Sequence, residues 1–282
     1  MTLLVLGTSQ DGGYPHTGCN NDCCIEAWND PSLKRHISSL AILSGNDFWL
    51  IDITPDISYQ LKMIEKIING KSNLCGIFIT HAHIGHYMGL IQLGLEVMNT
   101  NNIPVYVMPK MKLFLEGNAP FTQLIELDNI LLRKMKEDAA IDLNDNLSIT
   151  PFLVPHRNEF SETAGFQVVS SNKSLIYIPD IDSWKKWDID INDMIHRNNF
   201  ALLDGTYYND IEVPGRNIQE IPHPLIKESL NKFSLLEKID RDKVYFTHLN
   251  HSNPVIKISS QESSEIYNLG YNIAEDGMIF TL

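Results

Sequence analysis

The chain has 282 residues, 43% hydrophobic and 20% charged, with a formal net charge of −13. That length and apolar content suit one large domain over residues 1–282, while the acidity argues against a broad nucleic-acid or anionic-membrane surface. No apolar run approaches the roughly 18 residues that span a bilayer, and four cysteines do not make a disulfide scaffold.

Met1 to Gly7 reads as a first strand; it has no basic start and too short an apolar run for a signal peptide, so the expected location is the cytoplasm. Gly7 to Cys19 is a Gly- and Pro-punctuated loop. It lacks the lysine of a phosphate-cradling loop, so it is expected to border a site without binding a nucleotide. Cys19, Cys23 and Cys24 follow, and in a reducing compartment such clustering favours a metal over a disulfide. Ser38 to Leu43 and Phe48 to Ile53 read as strands joined by a turn at Ser44-Gly45-Asn46-Asp47, and Asp52 closes the second. Ile57 to Ile68 has apolar residues at helical spacing.

Cys75 to Ile79 is a short apolar run of the kind a buried strand shows, with Cys75 a core residue. Just past it stand His81, His83 and His86, before an apolar pattern at Met88, Leu90, Ile91, Leu93 and Leu95 that predicts a helix. Neutral imidazole is the commonest protein ligand for zinc, and histidines on a loop can converge where those on one helix or strand partly diverge. A merely His-rich polar turn is the alternative. Pro104 to Val107 reads as a strand, and residues 110–147 as a small helix, a loop over the site and further strands. Leu147 to Val154, Phe166 to Val169, Leu175 to Ile178, Ala201 to Asp204 and Val244 to His248 are strand-like. Four of these runs end at or beside a ligand-type residue: His156, Asp180, Asp204 and His248. Strand ends meeting on one edge would gather them. Pro222 to Phe233 and Ser259 to Leu269 read as outer helices, and the two similar halves suggest two sheets packed face to face under helices.

Thr80-His81-Ala82-His83-Ile84-Gly85-His86 resembles the His-x-His-x-Asp-His signature of the metallo-β-lactamase superfamily, with Gly85 in place of the Asp. The resemblance covers nearly the whole chain and implies the four-layer αββα sandwich of the α/β class. It implies a first metal position at His81, His83 and His156, a second at His86, Asp180 and His248 with Asp180 bridging, and Asp52 orienting ligands. Gly85 would leave the second position short of a carboxylate, and the loop is expected to tolerate Asp there. The donor set suits Zn²⁺, with Mn²⁺ or Fe²⁺ as alternatives. A divalent ion in such a site lowers the pKa of bound water towards 7, so hydrolysis is the expected chemistry.

Within the superfamily, Gly7 to Cys19 is similar to the opening of both coenzyme PQQ synthesis protein B and the phosphoribosyl cyclic phosphodiesterases. Thr54-Pro55-Asp56-Ile57, Leu203-Asp204-Gly205-Thr206 and His248-Leu249-Asn250-His251-Ser252-Asn253-Pro254 lean to the first group, and the retained His81, His83, His156 and Asp180 to the second. The phosphodiesterase resemblance implies a structural Zn²⁺ at Cys19, Cys23, Cys24 and His251; adjacent cysteines are expected to reach one ion only under strain, and free thiols are the alternative. Arg157, Arg197 and Arg216 are candidates to grip an anionic substrate. His16, Asp204, Tyr207 and His223 are candidates to line the pocket or act as general acid, Asp204 foremost. Two classes remain, a metal-dependent hydrolase of a small anionic ester and an iron-dependent oxidative or non-catalytic protein on the same fold. The expected partner is a small anionic molecule, with no nucleic acid and no membrane; a homodimer is allowed.

Overall fold

The structure, a computed structural model, describes residues 1–212 and 222–282. The first half builds one sheet from β1 (Thr2–Gly7), β2 (Ser39–Ser44), β3 (Asp47–Ile51), β4 (Asn73–Phe78), β5 (Ile103–Val107) and β6 (Ile130–Lys134). The second builds another from β7 (Ile141–Asn144), β8 (Leu147–Leu153), β9 (Ala164–Ser170), β10 (Ser174–Ile178), β11 (Phe200–Asp204), β12 (Val244–Thr247) and β13 (Asn272–Ile273), before β14 (Ile279–Thr281) returns to the edge of the first. The spatial orders are β14-β1-β2-β3-β4-β5-β6 and β13-β12-β11-β10-β9-β8-β7. In each sheet one part is antiparallel and the other parallel: β3 to β6 run together, and so do β10 to β13.

Alternation along each strand explains the layers. Leu3, Val5, Leu40, Ile42, Ile51 and Phe78 point between the sheets, where they meet Ile149, Phe166, Val168, Leu175, Tyr177 and Leu202. The intervening Leu4, Leu6, Ala41, Phe48, Leu50 and Ile77 point outward and pack under α2 (Ile57–Ile68), α4 (Pro109–Gly117) and α5 (Phe121–Glu126). On the opposite side Ile176, Ile178, Ala201, Leu203, Val244 and Phe246 are covered by α1 (Asp22–Asn29), α6 (Ile191–Arg197), α7 (Ile226–Lys232) and α9 (Gln261–Asn268). The order is therefore helix, sheet, sheet, helix, as expected. Because both faces of the inner strands are buried, their sequences read as continuous apolar runs. No helix among the described residues is long and apolar enough to cross a membrane.

Three expectations differ in detail. The helix after the histidine loop is one turn, α3 (Ile84–Tyr87), followed by a 3₁₀ stretch from Met88 to Leu93. Residues 22–29, read only as a cysteine cluster, form α1, and α6 and α8 (Lys238–Arg241) were also not anticipated. The helix expected from Pro222 begins at Ile226.

Candidate metal centre

The site forms where the parallel strands of both sheets end. Asp52 follows β3 with a left-handed backbone, φ 65°, and its amide donates to the Phe78 carbonyl at the end of β4, 2.8 Å away. Its buried carboxylate accepts the Thr80 amide at 2.8 Å, the Thr80 hydroxyl at 3.0 Å and His86 Nδ1 at 2.6 Å. A hydroxyl has one proton; with it committed to Asp52, Thr80 Oγ1 can only accept, so His81 donates from Nδ1 at 2.9 Å and presents Nε2 as a lone pair. One turn of α3 carries His86 back beneath His83.

The second sheet repeats this arrangement. Asp204, at the end of β11, accepts the Thr206 amide at 3.0 Å, the Thr206 hydroxyl at 2.8 Å and His223 Nδ1 at 2.8 Å. Thr206 Oγ1 then accepts from His248 Nδ1 at 2.9 Å, which leaves His248 Nε2 facing the site. His248, just past β12, also has a left-handed backbone, φ 59°. Asp180 stands between the halves. Its Oδ2 is 3.3 Å from both His86 Nε2 and His248 Nε2, and its Oδ1 is 3.7 Å from His156 Nε2.

The ligand atoms of His81, His83, His156 and Asp180 all lie within 4.8 Å of one another, as do those of Asp180, His223 and His248. His81 Nε2 and His83 Nδ1 are 2.8 Å apart, a separation two lone pairs tolerate only with a proton or cation between them. His83 Nε2, His86 Nε2, His156 Nε2, His248 Nε2 and Asp180 Oδ2 are buried and make no hydrogen bond among the described residues. Orphaned polar atoms are costly to bury, and these are all donors a divalent ion accepts, so the residues present fit a metal.

The charges agree. Burial, with like-charged neighbours, holds His81 well below the usual imidazole range and takes His83 down to about 4; burial also lowers His248. All three are therefore neutral and able to ligate. At Asp180 burial would favour the neutral acid, but the imidazoles facing it, the raised His86 among them, hold the carboxyl well below its usual range. Burial likewise opposes charge on His86 and His223, yet Asp52 and Asp204 raise each of them.

Gly85 requires a correction. Its amide donates to Asp11 Oδ1 at 2.9 Å, and a Cβ on Gly85 would collide with that oxygen and lie 2.8 Å from Asp11 Cα. The loop does not have room for Asp at 85, because the Gly7 to Cys19 loop already fills the space.

At the other end of that loop Cys19 Sγ and Cys23 Sγ lie 3.7 Å apart, Cys23 Sγ and Cys24 Sγ 4.0 Å, and His251 Nδ1 is 3.5 and 3.4 Å from the last two. A tetrahedral zinc with bonds to sulfur of about 2.3 Å has edges of about 3.8 Å. Adjacent Cys23 and Cys24 reach this arrangement from the first turn of α1, neither of them on left-handed backbone. Burial pushes the Cys24 thiol up to about 12 in the metal-free protein.

Cys75 lies half-buried in β4. The His16 ring lies against that of His251, centroids 4.3 Å apart and tilted by 37°, beside the thiols. Tyr207 is buried, its ring 6.1 Å from His223. Arg157 lines the cleft over the site together with Tyr87, Phe160 and His223, whereas Arg197 is exposed at the end of α6 and does not. Arg216 lies outside the described residues. Sequence reasoning missed Asp11, Thr80, Thr206 and Asp182, whose Oδ1 is 3.4 Å from His156 Nδ1. Asp182 stands two residues after Asp180 and Thr80 immediately before His81, so proximity to a ligand was the available signal; Asp11 had none.

Residues 49–249 match the profile of the Beta-lactamase superfamily domain. The chain is 25% identical over 311 residues to coenzyme PQQ synthesis protein B of Ruegeria pomeroyi, with 100% of each chain covered. Among solved structures it is similar to Zn(2+)-bound PqqB from Methylobacterium extorquens, with TM-score 0.84, 22% identity and 100% of each chain covered. It is also similar to a diphosphatase from the PhnP family, with TM-score 0.71, 22% identity, 99% of this chain and 96% of that one. Since the matched profile takes in more than half of the sequence, and with it both halves of the histidine cluster, the chain belongs to the beta-lactamase superfamily.

Proposed function

We propose that this protein is a metal-dependent hydrolase of a small anionic ester, with a phosphodiester as the leading substrate class. The observation that carries the reading is the set of buried, unsatisfied imidazole and carboxylate atoms at the floor of a cleft of about 290 Å³. His81, His83, His156 and Asp180 would hold one ion, and His86, His248 and the shared Asp180 a second. When bound, a divalent ion supplies a water acidic enough to attack at neutral pH and polarises the scissile group.

The protein's own residues do the rest. Thr80 and Thr206 fix the tautomers of His81 and His248. Asp204 orients His223 through Nδ1 and favours its charged form, so the cleft-lining His223 is the group to deliver a proton from Nε2 to the leaving oxygen. Arg157 lines the cleft with its Nε paired to Glu159 at 2.7 Å, and its remaining guanidinium N–H groups are the candidate contact for the anionic part of the substrate. A second reading, participation in coenzyme PQQ synthesis, is favoured by the full-length similarity to proteins of that name.

Turnover of bis(p-nitrophenyl) phosphate by protein stripped and reloaded with Zn²⁺ or Mn²⁺ tests the first reading. His83→Ala is expected to abolish it, since the first ion loses one of its three imidazoles and keeps only His81, His156 and a carboxylate it shares with the second ion, too little to hold and orient it for turnover. Unchanged turnover in that variant overturns the hydrolase reading. Iron in protein purified without added metal, with no phosphodiester turnover, favours the second.

A further inference from the structure

We infer that Asp11 is a ligand of the second metal position, supplying from the N-terminal loop the carboxylate that Gly85 lacks. The inference rests on the metal-dependent reading above and extends it to a residue outside the histidine motif.

Asp11 Oδ1 lies 3.7 Å from His86 Nε2, and ligand atoms of Asp11, His86 and His248 all fall within 4.8 Å of one another. Two of the three partners there, His86 Nε2 and His248 Nε2, are buried without a hydrogen bond among the described residues. Two imidazoles, neutral once they ligate, and one shared carboxylate leave most of a dication's charge unbalanced; Asp11 adds a second negative oxygen.

The surrounding backbone is built to keep it there. The Gln10 amide donates to the Leu249 carbonyl at 2.9 Å and the Leu249 amide to the Thr8 carbonyl at 2.7 Å. This ties the segment before Asp11 to the residue after His248. The Gly13 amide closes the turn onto Gln10 at 2.8 Å, with Gly13 at φ 72°, where a side chain would be strained. Gly85 then orients Oδ1 through its amide. Its lack of a side chain is what allows the approach, so Asp11 and Gly85 form one device: the carboxylate has moved from the histidine loop to a loop facing it.

Co²⁺ titration into the stripped full-length protein tests this. Thiolate-to-cobalt charge transfer reports the cysteine cluster separately from the d–d bands of the imidazole and carboxylate positions. Asp11→Asn keeps an oxygen for the Gly85 amide but removes the charge. It is expected to weaken the second imidazole-site ion by more than the roughly 10–100-fold that loss of an outer partner costs, with the first ion and the metal-free melting temperature unchanged. Gly85→Ala, which keeps every ligand but displaces Asp11, is expected to weaken the same ion, and the double variant to be no weaker than Asp11→Asn alone. Wild-type affinity for both ions in Asp11→Asn overturns the assignment and leaves the hydrolase reading standing. Failure of wild type to bind any cobalt outside the thiolate cluster overturns both.

Discussion

Asp52 and His248 are held on left-handed backbone, a conformation that costs a non-glycine residue on the order of 1–3 kcal/mol. The contacts that offset it at Asp52 are the Thr80 amide and hydroxyl and the His86 imidazole. Burial would raise the Asp52 carboxyl, and does, but His86 opposes it. Removing the side chain strands these donors in a dry site, so Asp52→Ala is expected to lose about 2–4 kcal/mol in urea unfolding. Asp52→Asn is a different experiment, because Asn tolerates the left-handed region and can still accept the Thr80 bonds. It should fold normally and weaken metal at His86 by about 10–100-fold. Wild-type metal affinity in Asp52→Asn would show that the carboxylate's charge does nothing for the ligand it holds.

At the scale of elements, α1 depends on what its first turn binds. It presents Cys23 and Cys24 to His251 from the opposite end of the chain, and its hydrophobic anchoring is limited to Cys24 and Ala27, with Ile25 and Trp28 exposed. A zinc here would couple its binding free energy to the folding of α1 and to the Gly7 to Cys19 loop. Chelation should therefore lower the melting temperature of wild type by more than that of Cys24→Ser, which has only the histidine-site ions left to lose. An equal drop in both proteins would mean the thiols are free. The same region shows where sequence reading stops. The strands that end at the site were legible because burial on both faces gives them unbroken apolar runs, and α2 because Ile57, Leu61 and Ile64 keep a helical period. By contrast α1 has two buried residues in one eight-residue helix, and β13 and β14, at two and three residues, are too short to show any period. Asp11 was hidden for another reason: its place is set by pairing of Thr8 and Gln10 with Leu249, a contact with no local signature.

The whole molecule combines a formal charge of −13 with a small cleft, and together these limit what can reach the metal site. Arg157 is a cation at the mouth, and its Nε is bonded to Glu159 at 2.7 Å, so among the described residues it offers little net positive field. Asp11 and Asp180 line the same cleft. Binding of a nucleic-acid backbone draws on several phosphate contacts and the release of their counterions, and even non-specific binders reach about 10⁻⁴–10⁻⁶ M. A net charge of this sign works against such contacts. A single small anion needs only the metal site and loses little to long-range repulsion, which salt screens over about 10 Å at 0.1 M. A 20-nucleotide single-stranded RNA is therefore expected to show no binding by fluorescence anisotropy up to about 100 µM protein at low salt. Over the same salt range the kcat/KM for a small phosphodiester should stay flat or rise slightly as repulsion is screened. RNA binding that falls steeply with salt would reveal a cationic surface despite the net acidity, and would favour a polyanion over a small ester as the substrate.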